Sequence, residues 1–261
     1  MDFNNKFYSG RDEKYGVTID NVDYILKPVR GKWGLAKMLS EYTASVVYQQ
    51  LELPVQKVQL ITWKGTSAVL IQDFLPPKHY FVPFASLIEE NFDKGGDTSY
   101  SYENIKSILL TDKRIRSSQE MFDHFWNMYV VDFLIGGGGR NASNWGFIGY
   151  RGMLSPAPVF DSSSSFYYKN YCGKMFCAPG DATPPRMTFN GEIKERIDLI
   201  SSKEYAECSE AAKRILSKIS VDEITTRLHA SEMDRYIADN WFVKIIRYNL
   251  NRLVEVFKNE N

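Results

Sequence analysis

Two polar residues in the middle of the chain, Asn144 and Asp161, carry the oxygen atoms that a magnesium–nucleotide site requires. Each follows an apolar run and lies in a stretch with the composition of a loop. Mg²⁺ prefers oxygen ligands, and few of them come from the protein because the phosphates of the nucleotide fill other positions of its octahedron. The pair therefore predicts a site for Mg²⁺ and a nucleotide. Taken separately, Asn144 also fits a turn, and Asp161 fits an N-cap or an Asx-turn ahead of Ser162–Ser165.

The loop before Asn144 lacks the acidic residue that phosphoryl transfer normally uses. Such a loop carries an Asp a few residues before its metal-binding Asn, and the carboxylate orients the attacking hydroxyl. In this chain Gly139 stands at that position, and no Asp or Glu occurs between Asp132 and Asp161. The sequence thus predicts a kinase-like nucleotide site and, at the same time, an impaired reaction.

A lysine and a glutamate nearer the N-terminus extend this pattern. Lys27 lies in a predicted strand, where alternation places it beside Ile25 on one face and puts Tyr24 and Leu26 on the other. Glu41 lies near the start of the next predicted helix. Kinases pair a strand lysine with a helix glutamate to hold nucleotide phosphates. Taken alone, Lys27 and Glu41 fit ordinary surface charges. A kinase is favoured because these two residues precede Asn144 and Asp161 in the order that a kinase requires.

Two weaker signals lie on either side of these residues. Gly10 and Lys14 precede the first predicted strand, where glycine lets the backbone approach phosphates and lysine supplies charge. They lack the Walker pattern, so a plain surface loop fits them as well. Gln72, Asp73 and Phe74 follow an apolar strand, and such a strand end can present backbone groups to adenine. The alternative for this segment is simply the end of a strand.

The elements that must position these residues divide into a β-rich part and a helical part. The first part is predicted to contain four strands and one helix, namely Tyr15–Ile19, Asp23–Pro28, the helix Lys37–Leu53, Val55–Trp63 and Ser67–Phe74. Pro76 and Pro77 then break the pattern and mark the predicted boundary between an N-lobe, 1–76, and a C-lobe, 77–261.

The predicted C-lobe is mainly helical. Its helices are Phe84–Asn91, Tyr102–Leu110, Ser118–Leu134, Lys194–Ile200, Lys203–Ile219, Val221–His229 and Ser231–Lys258. A small hairpin is predicted from Asn144–Tyr150 and Met153–Ser155, and the serine run Ser162–Ser165 fits either a flexible loop or a phosphorylation target. The fold class is therefore α+β with two lobes, and ligands favour the cleft between lobes.

Composition restricts the function classes further. Lys and Arg total 32 and Asp and Glu total 32, so the charge balance predicts no direct binding to nucleic acid. The chain has no apolar run of membrane-spanning length, and its N-terminus lacks the apolar region of a signal peptide. Cys172, Cys177 and Cys208 fit reduced thiols better than a metal pair. These features favour a cytoplasmic chain without a membrane partner.

Taken in order, these motifs resemble those of the HipA-like serine/threonine kinases, especially the compact CtkA-type members. The resemblance covers most of the chain. The similar segments are the phosphate loop Gly10–Lys14, the strand Tyr24–Pro28, the helix start Ser40–Tyr42, the hinge Gln72–Phe74, the catalytic-loop ends Asp132–Gly136 and Asn144–Phe147, and the metal motif Pro158–Ser162. It implies a two-lobed protein-kinase-like fold that binds ATP and Mg²⁺.

The resemblance also implies a role for each matching residue. Lys27 would bind the ATP phosphates with Glu41 as its partner, and Asn144 and Asp161 would be the Mg²⁺ ligands. The family's catalytic Asp falls on Gly139 and its loop His on Asn141, while the spacing of the loop is kept. The sequence does not distinguish a natural glycine from an engineered replacement of that Asp.

Three hypotheses follow. The first is a serine/threonine protein kinase of this family that binds Mg-ATP, with phosphotransfer absent or severely slowed. The second is a pseudokinase that acts as an ATP-responsive protein-binding module. The third is a kinase fold that transfers a nucleotidyl group. The protein substrate or partner is not specified by the sequence, and a secreted-effector or toxin–antitoxin role rests on family analogy alone.

Overall fold

The structure, a computed structural model, describes residues 1–8, 12–92, 100–138, 140–167, 187–231 and 241–258. Within these ranges the elements form two antiparallel sheets and a helical layer. In chain order they are β1 Asp2–Phe3, β2 Tyr15–Ile19, β3 Val22–Pro28, α1 Gly34–Gln50, β4 Val58–Trp63, β5 Thr66–Gln72, β6 Tyr80–Pro83, α2 Phe84–Asn91, α3 Tyr102–Thr111, α4 Ser118–Leu134, β7 Gly146–Tyr150, β8 Met153–Pro156, α5 Arg196–Ser202, α6 Ala206–Lys218, α7 Val221–His229 and α8 Trp241–Phe257.

The first sheet has the strand order β1-β2-β3-β5-β4 and is built from tight hairpins. Asp20 and Asn21, between β2 and β3, both have positive φ angles, of 50° and 62°. Lys64 and Gly65, between β4 and β5, have φ angles of 48° and 76°. Positive φ at both central residues is the pattern of type I′ turns, which match the twist of antiparallel strands. The predicted strands Tyr15–Ile19 and Asp23–Pro28 thus pair as one hairpin, with Asp20 and Asn21 as its turn.

Helix α1 lies against the first sheet, where it contacts β4 and β5. It begins at Gly34, earlier than the predicted Lys37, because the N–H of Lys37 already bonds to the carbonyl of Trp33 at 2.9 Å. It ends at Gln50 rather than at Leu53, since Glu52 has a left-handed φ of 58° that no α-helix accommodates. Glu41 therefore lies in the second turn of the helix.

The second sheet, of order β6-β7-β8, contains one strand that the sequence did not predict. Strand β6 pairs with β7 so that Pro83 lies opposite Gly146. A Cβ atom at Gly146 would come within 2.2 Å of the carbonyl oxygen of Val82, so this close strand approach requires glycine. Strand β7 begins at Gly146, two residues after the predicted Asn144, which leaves Asn144 in the preceding loop.

Helix α4 lies at the centre of the larger hydrophobic core. Its fully buried side chains include Phe125, Trp126 and Leu134, and it packs against α6 and α8. Helices α4 and α7 have the predicted bounds, whereas α5 and α6 begin two and three residues later than predicted. The helix predicted from Ser231 is observed over α8, and residues 232–240 lie outside the described residues.

Two further sequence predictions concern membranes and cysteines. Across the described ranges, none of the helices has both the length and the apolar character needed to cross a bilayer. Cys208 is a free thiol buried in α6. Cys172 and Cys177 lie outside the described residues.

Candidate functional site

A cleft of about 1020 Å³ separates the first sheet from the loops that follow α4. This volume lies at the upper end of the range for small-molecule sites, roughly 300–1,000 Å³. Both halves of the chain line it, and the predicted site residues among its walls are Lys14, Lys27, Glu41, Asp73, Phe74, Asn144 and Asp161. Of the described site residues, Gln72 and Asn141 do not line the cleft, and Gly10 and Gly139 lie outside the described residues.

Lys27 and Glu41 form a buried ion pair at the inner wall of the cleft. The Lys27 Nζ atom lies 3.0 Å and 3.1 Å from the two carboxylate oxygens of Glu41. Their side chains are 17% and 5% exposed. Lys27 shares the cleft face of β3 with Ile25, while Tyr24 and Leu26 pack on the opposite face, as the alternation predicted. Burial lowers the pKa of Lys27, but the charges of Glu41 and then Asp161 outweigh it, so the pKa is raised and the lysine stays charged.

Lys14 adds a second positive charge to the same wall. Burial lowers the pKa of its amine, and the charge of Lys27 lowers it further, while Asp161, Asp12 and Glu41 oppose the shift. The interaction with Lys27 indicates that two cations lie near each other in one cleft. Such an arrangement suits a polyanion, whose charge would relieve the repulsion between the lysines.

Asp161 enters the cleft from a strained backbone position. Its φ angle is 53°, in the left-handed region that Asp and Asn tolerate better than most residues. The hydroxyl of Ser163 donates a hydrogen bond of 3.1 Å to its Oδ1 atom. Two residues earlier, Val159 exchanges backbone bonds with Pro54 and Gln56, at 3.0 Å and 2.9 Å, which fixes this segment to the chain between α1 and β4.

Asn144 lines the same cleft as Asp161 and lies in a turn that Asn141 shapes. The side chain of Asn141 accepts the N–H of Ser143 at 2.8 Å, and its carbonyl accepts the N–H of Asn144 at 3.0 Å. Asn141, predicted to replace a catalytic histidine, thus has a clear part in the geometry of the turn. One carboxylate and one amide oxygen on one cleft are a donor set that fits Mg²⁺ with phosphate oxygens completing its shell.

The hinge predicted at Gln72–Phe74 has two distinct components. The Gln72 carbonyl accepts the side-chain amide of Gln56 at 3.1 Å, which joins this end of the hinge to the segment before β4. The ring of Phe74 packs against Phe81 and Phe160, with centroids 5.9 Å and 5.7 Å away. Because Phe160 directly precedes Asp161, this aromatic group connects the apolar end of the cleft to the predicted metal ligand.

Asp73 attaches the N-terminal segment to the hinge, which the sequence did not predict. Its Oδ2 atom accepts bonds from Lys6 Nζ at 2.8 Å and from the Tyr8 hydroxyl at 2.9 Å. Its Oδ1 atom accepts the N–H of Leu75 at 2.9 Å. Residues 6–8 consequently line the mouth of the cleft. No local spacing connects Lys6 with a carboxylate 67 positions away.

A buried ion pair between Asp132 and Arg140 underlies the loop that carries Asn144. Arg140 Nε and Nη2 lie 3.0 Å and 3.1 Å from the two oxygens of Asp132, and the side chains are 7% and 2% exposed. Arg196 Nη2 lies 3.9 Å from the same carboxylate. No role was predicted for Arg140, although its place in the predicted catalytic loop was a signal that could have found it.

Three of the four serines after Asp161 are buried rather than presented to solvent. Ser162, Ser163 and Ser165 are 7%, 8% and 2% exposed. Ser162 Oγ accepts a bond from Arg140 at 3.3 Å, and the carbonyl of Ser165 accepts the Ser40 hydroxyl at 3.0 Å. These contacts favour a structural part in the metal-motif loop over a phosphorylation target.

His124, on α4, gives a testable pH dependence. Burial and the nearby charge of Arg140 lower its pKa from 6.5 to about 4. Between pH 6.5 and about 4 the unfolded chain binds a proton that the folded chain does not bind, so we expect the free energy of unfolding to decrease as the pH is lowered through this window. The slope should be at most about 1.4 kcal/mol per pH unit. Denaturant titrations at several pH values should show a weaker fall for His124→Gln, and parallel curves would contradict the assignment.

Comparisons with known proteins agree with this architecture. The model of the family described as HipA-like C-terminal domain matches residues 7–237. The serine/threonine-protein kinase CtkA of Helicobacter pylori strain J99 is 26% identical over 205 residues. That match covers 71% of this chain and 61% of the relative, so the chain spans less than two thirds of the length of the curated relative it matches.

Two solved structures show the fold. The crystal structure of a Helicobacter pylori proinflammatory kinase CtkA has a TM-score of 0.84 at 20% identity, covering 98% of this chain and 93% of the other. HipA of Shewanella oneidensis MR-1, solved with HipB and its operator DNA, has a TM-score of 0.57 at 14% identity, covering 89% of this chain and 57% of the other.

Proposed function

The chain belongs to the HipA-like C-terminal domain family and has the HipA-like kinase fold, and we propose that it binds Mg-ATP in the cleft between its sheet and its helical layer. By descent the reaction would be phosphoryl transfer to Ser or Thr of a protein, impaired here because Gly139 replaces the catalytic Asp. The observation that carries the proposal is the convergence of Lys14, Lys27, Asn144 and Asp161 on one cleft.

Each wall of the cleft has chemistry that suits one part of the nucleotide. Lys27, held by Glu41, would bind phosphate oxygens, and Lys14 would add a second positive charge. The apolar end formed by Phe74, Phe81 and Phe160 suits the adenine ring. Bound Mg²⁺ would neutralise charge that develops on the phosphates during transfer.

The missing carboxylate bears on the reaction rather than on binding. None of the contacts proposed for the phosphates or for Mg²⁺ uses the side chain at position 139. A group that orients the acceptor hydroxyl and takes its proton contributes about 10²–10⁴-fold to such a reaction. We therefore propose retained nucleotide binding together with slow or absent transfer.

A second function, that of an ATP-responsive protein-binding module, is favoured by one observation. The N-terminal segment is fixed to the hinge by Lys6 and Tyr8 at the mouth of the cleft, where the exposed ring of Phe7 faces solvent at 91%. Because Asp73 of the hinge bonds to Lys6 and Tyr8, nucleotide binding at the hinge would change the position of this segment. In this case the output would be a protein contact and not a phosphorylated product.

Calorimetry with Mg-ATP, and γ-labelled transfer read from the same sample, would separate these proposals. We expect binding that weakens at least about tenfold when Mg²⁺ is chelated, because Asp161 would then face the polyphosphate without a neutralising cation. Binding with transfer would support an active kinase whose loop has replaced its Asp. Binding without transfer would support the binding module, and a lack of binding would contradict both.

A further inference from the structure

We propose that Arg140 is a positioning residue that sets the separation between Asn144 and Asp161. This inference rests on the proposed Mg-ATP site, because it concerns the two residues that would bind the metal. Arg140 lies behind the cleft, and every contact that carries the argument is made by its guanidinium group with buried or backbone partners.

The guanidinium group joins the two ligand loops directly. Its Nη1 atom donates to the carbonyl of Asn144 at 2.7 Å and to the carbonyl of Phe160 at 2.8 Å. Phe160 is the residue immediately before Asp161, so one nitrogen atom holds the backbone of both predicted ligand positions. Its Nη2 atom also donates to Ser162 Oγ at 3.3 Å, just after Asp161.

Asp132 fixes the orientation of this group from the opposite side. Its two oxygens accept Nε at 3.0 Å and Nη2 at 3.1 Å, so the carboxylate and guanidinium planes meet in a bidentate pair. Asp132 belongs to the last turn of α4 and is 1% exposed, and the Tyr48 hydroxyl also bonds to its Oδ1 atom at 3.5 Å. The bonds from Arg140 to the two ligand loops are therefore anchored, through Asp132, to the central helix of the core.

All five N–H donors of arginine are accounted for in this arrangement. Two meet Asp132, one meets Ser162 and two meet the carbonyls of Asn144 and Phe160. Lysine offers three donors from a single atom and no planar fork, so it cannot reach both the carboxylate and the two carbonyls. A lysine at position 140 would keep the charge and lose the connection between the loops.

The expected consequence is specific to the metal. Mg²⁺ requires near-ideal octahedral geometry with ligands at about 2.0–2.1 Å, so a small change in ligand separation weakens it strongly. None of the Arg140 bonds described above involves Lys27 or Glu41, so the proposed phosphate contact does not depend on them. Loss of the Arg140 bonds to the two loops should therefore reduce the affinity for the metal, while the affinity for metal-free nucleotide is preserved.

The test compares Arg140→Lys with Arg196→Lys, using Mn²⁺ and ADP as the probe and electron paramagnetic resonance as the readout. Arg196 is a matched control because it is also buried beside Asp132, yet it donates to the carbonyl of Gly137 at 2.6 Å instead. We expect Mn²⁺ affinity in the nucleotide complex to fall at least about tenfold in Arg140→Lys and less than about threefold in Arg196→Lys. Metal-free ADP affinity should change less than about threefold in both.

Hydrogen exchange of the nucleotide-free proteins gives a readout that does not depend on the proposed function. Segments 141–146 and 160–166 should exchange faster together in Arg140→Lys, whereas Arg196→Lys should affect mainly the segment around Gly137. If the unaltered chain binds no Mn²⁺ with ADP, the proposed function fails, and exchange alone decides whether Arg140 joins the loops.

Two results would overturn the inference. One is an unchanged Mn²⁺ affinity in a folded Arg140→Lys protein, and the other is an equal fall in Arg196→Lys, which would mean that only general packing was disturbed. Should Arg140→Lys fail to fold, Asp132→Asn keeps the shape of the anchor and removes its charge. It must then lower Mn²⁺ affinity in the same direction, or the inference is wrong.

Discussion

Replacement of Lys27 by Met is expected to lower the affinity for Mg-ATP by about 10- to 100-fold. The variant loses one charge-assisted contact with a phosphate, and such a contact stabilises a complex by roughly 1.5–3 kcal/mol. Glu41 holds the Lys27 amine at 3.0 Å, and both residues line the cleft, so the amine is oriented before a phosphate binds. Calorimetric titration of the variant with Mg-ATP measures the effect.

The same substitution should also affect stability, which must be separated from binding. Removal of Lys27 leaves the 5% exposed carboxylate of Glu41 without its partner, and breaking such a buried pair costs about 3–5 kcal/mol. Replacing both partners with apolar residues is often close to neutral. We therefore expect the melting temperature of Lys27→Met/Glu41→Leu to lie closer to that of the unaltered chain than the melting temperature of Lys27→Met does. Both variants should bind nucleotide equally poorly.

Lys57→Met supplies the matched control for this experiment. Lys57 is an exposed lysine on the segment before β4, outside the cleft, so its loss removes the same charge without removing a proposed phosphate contact. Its affinity for Mg-ATP should equal that of the unaltered chain. If Lys27→Met bound Mg-ATP as tightly as Lys57→Met, the assignment of the cleft as a phosphate site would be wrong.

The parts of the fold that follow from local pattern were predictable from the sequence. The two-residue alternation of β3 gave the face of Lys27, because side chains on a strand must alternate whatever the sheet packs against. The apolar stripe of α4 gave that helix with its observed bounds. Strand β6 was missed because it is four residues long, ends in Pro83 and is defined by its pairing with β7, which lies more than 60 residues away.

The contacts behind the site were not predictable for a related reason. Asn144 and Asp161 could be predicted as metal ligands because their chemical types and order fit a metal site. The bonds of Arg140 to two backbone carbonyls and those of Lys6 to Asp73 leave no trace in composition, since any residue supplies a carbonyl and many positions carry a charge. Only folding brings these partners together, so the sequence predicts candidate ligands but not the groups that hold them.

Replacement of Gly139 by Asp is expected to raise phosphotransfer by about 10²–10⁴-fold over the unaltered chain. The cleft is lined by the other main residues of the proposed site, namely Lys27, Glu41, Asn144 and Asp161. The added carboxylate would orient the acceptor hydroxyl and accept its proton. Autophosphorylation with γ-labelled ATP, followed by mass spectrometry of the modified residue, measures the gain and distinguishes phosphate from adenylate.

Gly139→Asn separates the two ways in which aspartate could act. Both residues restrict the backbone relative to glycine, and they have nearly the same size, but only aspartate carries the negative charge and can accept a proton. A gain in Gly139→Asp alone would mean that the missing carboxylate limits the reaction. Equal gains in both variants would mean that loop stiffness limits it instead. If neither variant transferred phosphate while both still bound Mg-ATP, the loss would not lie at position 139, and the binding-module function would be favoured.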